Sequence, residues 1–97
     1  MTRQDQAAAA PVIAAMHARI KNIADAELAR LQDRLPDLGE QQRAETAATV
    51  HRILRKVAHQ PTVRAKELST GPRGAIYLEA LRQLFDLDAG ADDAHAM

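Results

Sequence analysis

Between Ile13 and Leu35 the large apolar residues keep to helical spacing. Ile13, Met16, Ile20 and Ile23 step by three, four and three; after a one-residue slip, Leu28, Leu31 and Leu35 step by three and four. Such spacing gathers side chains onto one side of a helix and excludes the alternation of a half-buried strand. Arg19, Lys21, Asp25, Glu27, Arg30, Asp33 and Arg34 lie between them as a mixed-charge, solvated face. Pro11 suits a first helical turn and Pro36 forbids continuation. The pattern therefore predicts one long helix from about residue 11 to residue 35. At 1.5 Å per residue it would be about 37 Å long, more than a small globule needs. An arm or an association seam is the expectation, with a core helix as the plain alternative.

The remaining segments carry the same period. A Pro-Asp-Leu-Gly turn at Pro36–Gly39 leads into a second helix from about Glu40 to Ala58, with an apolar line through Ala47, Val50, Ile53/Leu54 and Val57. The residue before a proline is pushed out of the α region, so Gln60-Pro61 should end that helix. Pro61 would then open a short third helix to Ser69, burying Val63 and either Leu68 or Ala65. After the loop at Thr70–Gly74, with Gly71 placed for a left-handed helix stop, a fourth helix is expected over Ala75–Leu87. Its apolar stripe reads Ile76, Tyr77, Ala80, Leu81, Leu84 and Phe85. No strand pattern occurs. The expected fold is all-α, a long N-terminal helix followed by three shorter ones, with residues 1–10 frayed, 11–88 folded and 89–97 a disordered tail.

Composition argues for a partner. The chain has 97 residues, enough for one domain, and 21 of them are alanine, which buries little surface. Tyr77 and Phe85 are the only aromatics. A helical chain so poor in bulky side chains gains by burying one face against a copy of itself. Thirteen basic residues balance thirteen acidic ones, so no global field attracts nucleic acid or membrane. The absence of cysteine rules out disulfides, thiolate nucleophiles and Cys-based metal sites, and it suits a reducing cytoplasm. The short apolar run after Arg3 is offset by Asp5, interrupted by Pro11 and built mostly of alanine. It reads neither as a signal peptide nor as a membrane span.

Each candidate site has a plain reading beside it. His51 and His59 are eight apart, beyond the i,i+4 pairing of a helical metal site, while His17 and His95 lie elsewhere. Solvent-facing or helix-end histidines are expected, and no metal. The loop Ser69–Gly74 lacks the phosphate-loop pattern and any preceding strand. Asp86/Asp88 and Asp92/Asp93 sit at a helix end and in the tail, without the burial that tunes an acid or base. No catalytic constellation is present in the sequence. Arg52, Arg55, Lys56 and Arg64 form a basic segment that could meet phosphates, although no aromatic interleaves it for stacking.

The string HRILRKVAHQPTVRAKEL at His51–Leu68, with YLEALRQLFDLD at Tyr77–Asp88, resembles the carboxy-terminal end of glutamyl-tRNA reductase, particularly its actinobacterial members. The core His59, Pro61, Thr62, Val63 and Arg64 and the close from Tyr77 to Asp88 carry the likeness. AELARLQDRLPDL at Ala26–Leu38 extends it, so that it covers about Val12 to Asp88. One departure is Ala58, where the family commonly has leucine.

The resemblance implies a helical dimerisation domain that follows a cysteine-dependent catalytic domain and an NADPH-binding domain. The whole enzyme reduces glutamyl-tRNA to glutamate-1-semialdehyde for tetrapyrrole synthesis. No catalytic or NADPH-binding residue carries over, so this chain alone is expected to be no enzyme and to hold no cofactor. The expected partner is a second copy. The interface or supporting core would draw on Ile13, Met16, Ile20, Ile23, Leu28, Leu31, Ile53, Leu54, Leu81, Leu84 and Phe85. The competing reading is a tRNA-contacting helical module using Arg52, Arg55, Lys56 and Arg64.

Overall fold

A computed structural model of the chain describes residues 3–87, with side chains from Ala8 onward. The expected tail at 89–97 lies outside the described residues. The architecture is all-α, with no strand among the described residues, but it has three helices where four were expected. Helix α1 spans Arg3–Arg34, α2 spans Glu40–Ser69 and α3 spans Gly74–Leu84. The first two form an antiparallel hairpin, and α3 folds back across its open end. The molecule is long and flat, 53 × 31 × 18 Å.

Local chemistry sets the two connections. Pro36 stops α1, and the turn closes with Leu35 N–H donating to the Leu31 carbonyl at 2.8 Å and Leu38 N–H to the Leu35 carbonyl at 3.2 Å. Gly39 caps α2 in an extended conformation, its N–H donating to the Gln42 side-chain oxygen at 2.9 Å. That bond satisfies the cap residue's own backbone donor. At the other connection Ser69 is buried and its hydroxyl donates to the Lys66 carbonyl at 2.9 Å, while Thr70 does the same to Glu67 at 2.8 Å. The chain then turns sharply into α3. Gly74 sits so close to α2 that a Cβ there would stand 2.2 Å from the Ser69 carbonyl oxygen. Only glycine admits that approach.

The core lies where all three helices meet. Ala9, Val12, Ile13 and Met16 of α1 pack with Ala65 of α2, Leu78 of α3 and Leu87, flanked by Ala15, Ile20, Leu81 and Phe85. Met16 is the largest fully buried side chain, at 0% exposure. The buried line on α2 runs through Ala58, Ala65 and Ser69, in register with the half-buried Ala47, Val50 and Leu54.

Four expectations are corrected. Helix α1 begins at Arg3, so Pro11 is interior, and Ala9, placed in the fraying segment, is 1% exposed. Pro61 likewise lies inside α2, so the second and third helices are one element of 30 residues. A proline inside a helix removes a hydrogen bond and crowds the preceding turn. Here both prolines have anchored residues on either side: Ala9 and Val12 flank Pro11, and Ala58 and Ala65 flank Pro61. Tertiary packing holds the helix through each of them. Gly71 does not take the left-handed conformation; among the described residues Asp86, at φ 56°, is the one with positive φ, just past α3. Finally, α3 buries Leu78, which the expected stripe omitted, leaves Leu81 and the adjoining Phe85 partly buried, and exposes Ile76 (65%), Tyr77 and Leu84 (82%).

Candidate association surface and inter-helix groove

The braced end and the free end of the hairpin differ in burial. Helix α3 covers only the N-terminal half of α1 and the C-terminal half of α2. Beyond it, among residues 21–34 and 40–57, Ala24 alone is buried. Leu28, Leu31, Leu54 and Val50 are half-buried between the two helices, and Ile23, Leu35, Ile53 and Val57 stand exposed. Helices draw most of their stability from packing an apolar face, so a pair so thinly buried calls for a further surface. Sequence spacing placed Ile13, Met16, Ile20 and Ile23 on one line; the structure splits that line. Ile13 and Met16 serve the core, Ile20 flanks it, and Ile23 stays open at 56%. Of the residues expected on the other helices, Ile53 and Leu84 are open, while Leu54, Leu81 and Phe85 are partly buried.

The hairpin is pinned by polar pairs on one side. His51 Nε2 lies 3.2 Å from Asp25 Oδ1 across the two helices, and Lys21 donates to the other oxygen of Asp25 at 2.6 Å. Those bonds, that from Lys21 foremost, hold the Asp25 carboxyl below the usual carboxylate range. His17 Nε2 meets the Thr62 hydroxyl at 2.8 Å about two turns away. Between these pairs lies a groove of about 570 Å³, floored by Ile20, Leu54 and Ala58 and rimmed by His17, Lys21, His51, Arg55 and His59. The sequence had separated these histidines because His17 is on another helix. Only the antiparallel register brings it beside His59, which is interior to α2 and not near a helix end as expected. Among the described residues no group of three or more His, Cys, Asp or Glu is placed to hold a metal ion.

The four basic residues considered for RNA, Arg52, Arg55, Lys56 and Arg64, are all exposed. Arg64 pairs with Glu67 at 2.9 Å, Arg52 Nη2 donates to the Thr49 hydroxyl at 3.3 Å, and Arg55 lines the groove. The exposed apolar residues point elsewhere. Ile23 and Ile53 are each two residues from the Asp25–His51 bridge, hence about 200° around their helices from it. They face away from the groove.

An all-α hairpin braced at one end, with open apolar residues along the other, has the form of a helical association domain. The chain belongs to the glutamyl-tRNA reductase dimerisation-domain family: residues 1–87 match "Glutamyl-tRNAGlu reductase, dimerisation domain". It is 48% identical over 85 residues to the glutamyl-tRNA reductase of Thermobifida fusca (strain YX), an alignment covering 88% of this chain and 18% of that protein. The chain thus spans less than a fifth of the length of the curated relative it matches. No solved structure gives a significant match. No helix among the described residues is long and apolar enough to cross a membrane.

Proposed function

We propose that this chain is the homodimerisation domain of a cytoplasmic glutamyl-tRNA reductase, and that two copies pair through the face carrying Ile23, Ile53 and Val57. The free half of the hairpin carries the reading: Ala24 is its one buried residue, while Ile53 and Val57 stay 54% and 63% exposed. A two-fold pairing would bury both copies of that face at once. The family match supports the same partner, a second copy of the chain. On this reading the NADPH-dependent reduction of glutamyl-tRNA to glutamate-1-semialdehyde, feeding tetrapyrrole synthesis, is carried by residues outside these 97. This domain contributes the pairing and binds no cofactor itself.

Light scattering of the chain across a dilution series tests the proposal. The expected mass at micromolar concentration is about twice the 10.6 kDa of one copy, falling toward one copy on dilution. A cooperatively folded species that stays monomeric at every concentration would refute it.

A further inference from the structure

We infer that the groove between α1 and α2 is a binding site for a small organic anion, an acid group carried on an apolar body. Its volume, about 570 Å³, falls in the range of small-molecule sites, and its make-up follows their pattern of an apolar floor with a few convergent polar groups. The floor is Ile20, Leu54 and Ala58. The rim is cationic. Asp25, beside the groove, already accepts from Lys21 at 2.6 Å and faces His51 at 3.2 Å. Its charge is therefore met within the protein.

Arg55 and His59 make no side-chain hydrogen bond to the other described residues. They are four apart on α2, one turn, so their donors converge on one spot above Ala58. An acid group there would take hydrogen bonds from both, with Lys21 facing it from α1. The apolar body would lie along Leu54 and Ile20.

The formal charge of the lining also favours an anion. The charged or titratable groups lining the groove are His17 and Lys21 on α1 and His51, Arg55 and His59 on α2, with Asp25 beside it. With neutral histidines, Lys21 and Arg55 outnumber Asp25 by one charge. The site also stands apart from the proposed pairing face, because Ile23 and Ile53 are turned about 200° away from the bridge beside it. Dimer formation should leave it open.

The test is a titration of the isotope-labelled chain with 4-phenylbutyrate, followed by amide chemical shifts, with 4-phenylbutanol and inorganic phosphate as comparators. Saturable shifts clustered at Lys21, Arg55 and His59 are expected for the acid alone, at unchanged dimer mass. The double substitution Arg55→Gln with His59→Gln should weaken binding about tenfold or more, since hydrogen bonds to charged groups are lost. Its circular dichroism should be unaltered, because both side chains are exposed. Equal binding of the alcohol would reduce the groove to an apolar patch, and equal binding of phosphate would reduce it to loose cations. Shifts elsewhere, or binding that requires dissociation of the dimer, would likewise overturn the inference; the last outcome would assign the groove to the second copy.

Discussion

Replacing Ile53 by glutamate should separate two copies of this protein without unfolding either. Ile53 is 54% exposed in the single chain and lies outside the three-helix core. Full burial of such a side chain stabilises by about 1.5–3 kcal/mol, so covering the remaining half is worth about 1 kcal/mol. A two-fold interface uses the residue twice, giving about 2 kcal/mol for truncation to alanine. Glutamate adds the removal of a charge from water on each side, about 1 kcal/mol or more per copy even at a partly wet interface. The sum, about 4 kcal/mol, corresponds to a dissociation constant raised on the order of a thousandfold; Ile53→Ala alone should raise it about thirtyfold. Sedimentation equilibrium through the dimer midpoint reads both values, and far-ultraviolet circular dichroism should show unchanged helix. If Ile53→Glu leaves the dimer constant unaltered in a folded protein, the pairing face does not include this end of α2. If helicity collapses at concentrations where the wild type is monomeric, Ile53 supports the single-chain fold and the burial argument fails.

Further substitutions probe the fold beneath that face. Met16→Ala empties the one large fully buried position and should cost about 2–5 kcal/mol, lowering the melting temperature by about 8 °C or more at roughly 4–8 °C per kcal/mol; a loss under about 1 kcal/mol would contradict the placement of the core. Gly74→Ala should cost about 1–3 kcal/mol in denaturant titration because its Cβ meets the Ser69 carbonyl at 2.2 Å, whereas Gly39→Ala and Gly71→Ala, whose nearest neighbours are at 3.6 Å, should be far milder. Asp25 has a lowered folded pKa, so its bonds with Lys21 and His51 stabilise fully above the ordinary carboxylate pKa and lose that contribution as pH falls through the folded value. Asp25→Asn should therefore be less stable than wild type at neutral pH and converge with it in acid; parallel pH profiles would show that Lys21 and His51 do nothing for the hairpin.

Periodicity and turn chemistry were legible because both are local. Steps of three and four along Ile13–Leu35 require a helix wherever the rest of the chain goes, and Pro36 and Gly39 end and restart helices through their own backbone constraints. The same local reasoning failed at Pro61. It assigned the full penalty of an interior proline and a helix break, but Ala58 and Ala65, seated on α1, hold the helix on both sides. It failed again on α3, where Ile76, Tyr77 and Leu84 suit an amphipathic stripe as well as Leu78 does.

The sequence by itself determined an all-helical chain, its two connections, and an apolar supply too small for a self-sufficient globule. Tertiary structure alone decided which apolar residues that supply leaves open, that two prolines lie inside helices, and that His17, His51 and His59 share a groove. The reason is geometric. Helical spacing states which residues lie on one side of each rod. Which sides meet depends on the antiparallel register of α1 against α2 and on how far α3 reaches back, and α3 reaches only to Met16 and Ile20, leaving Ile23 and Ile53 beyond it.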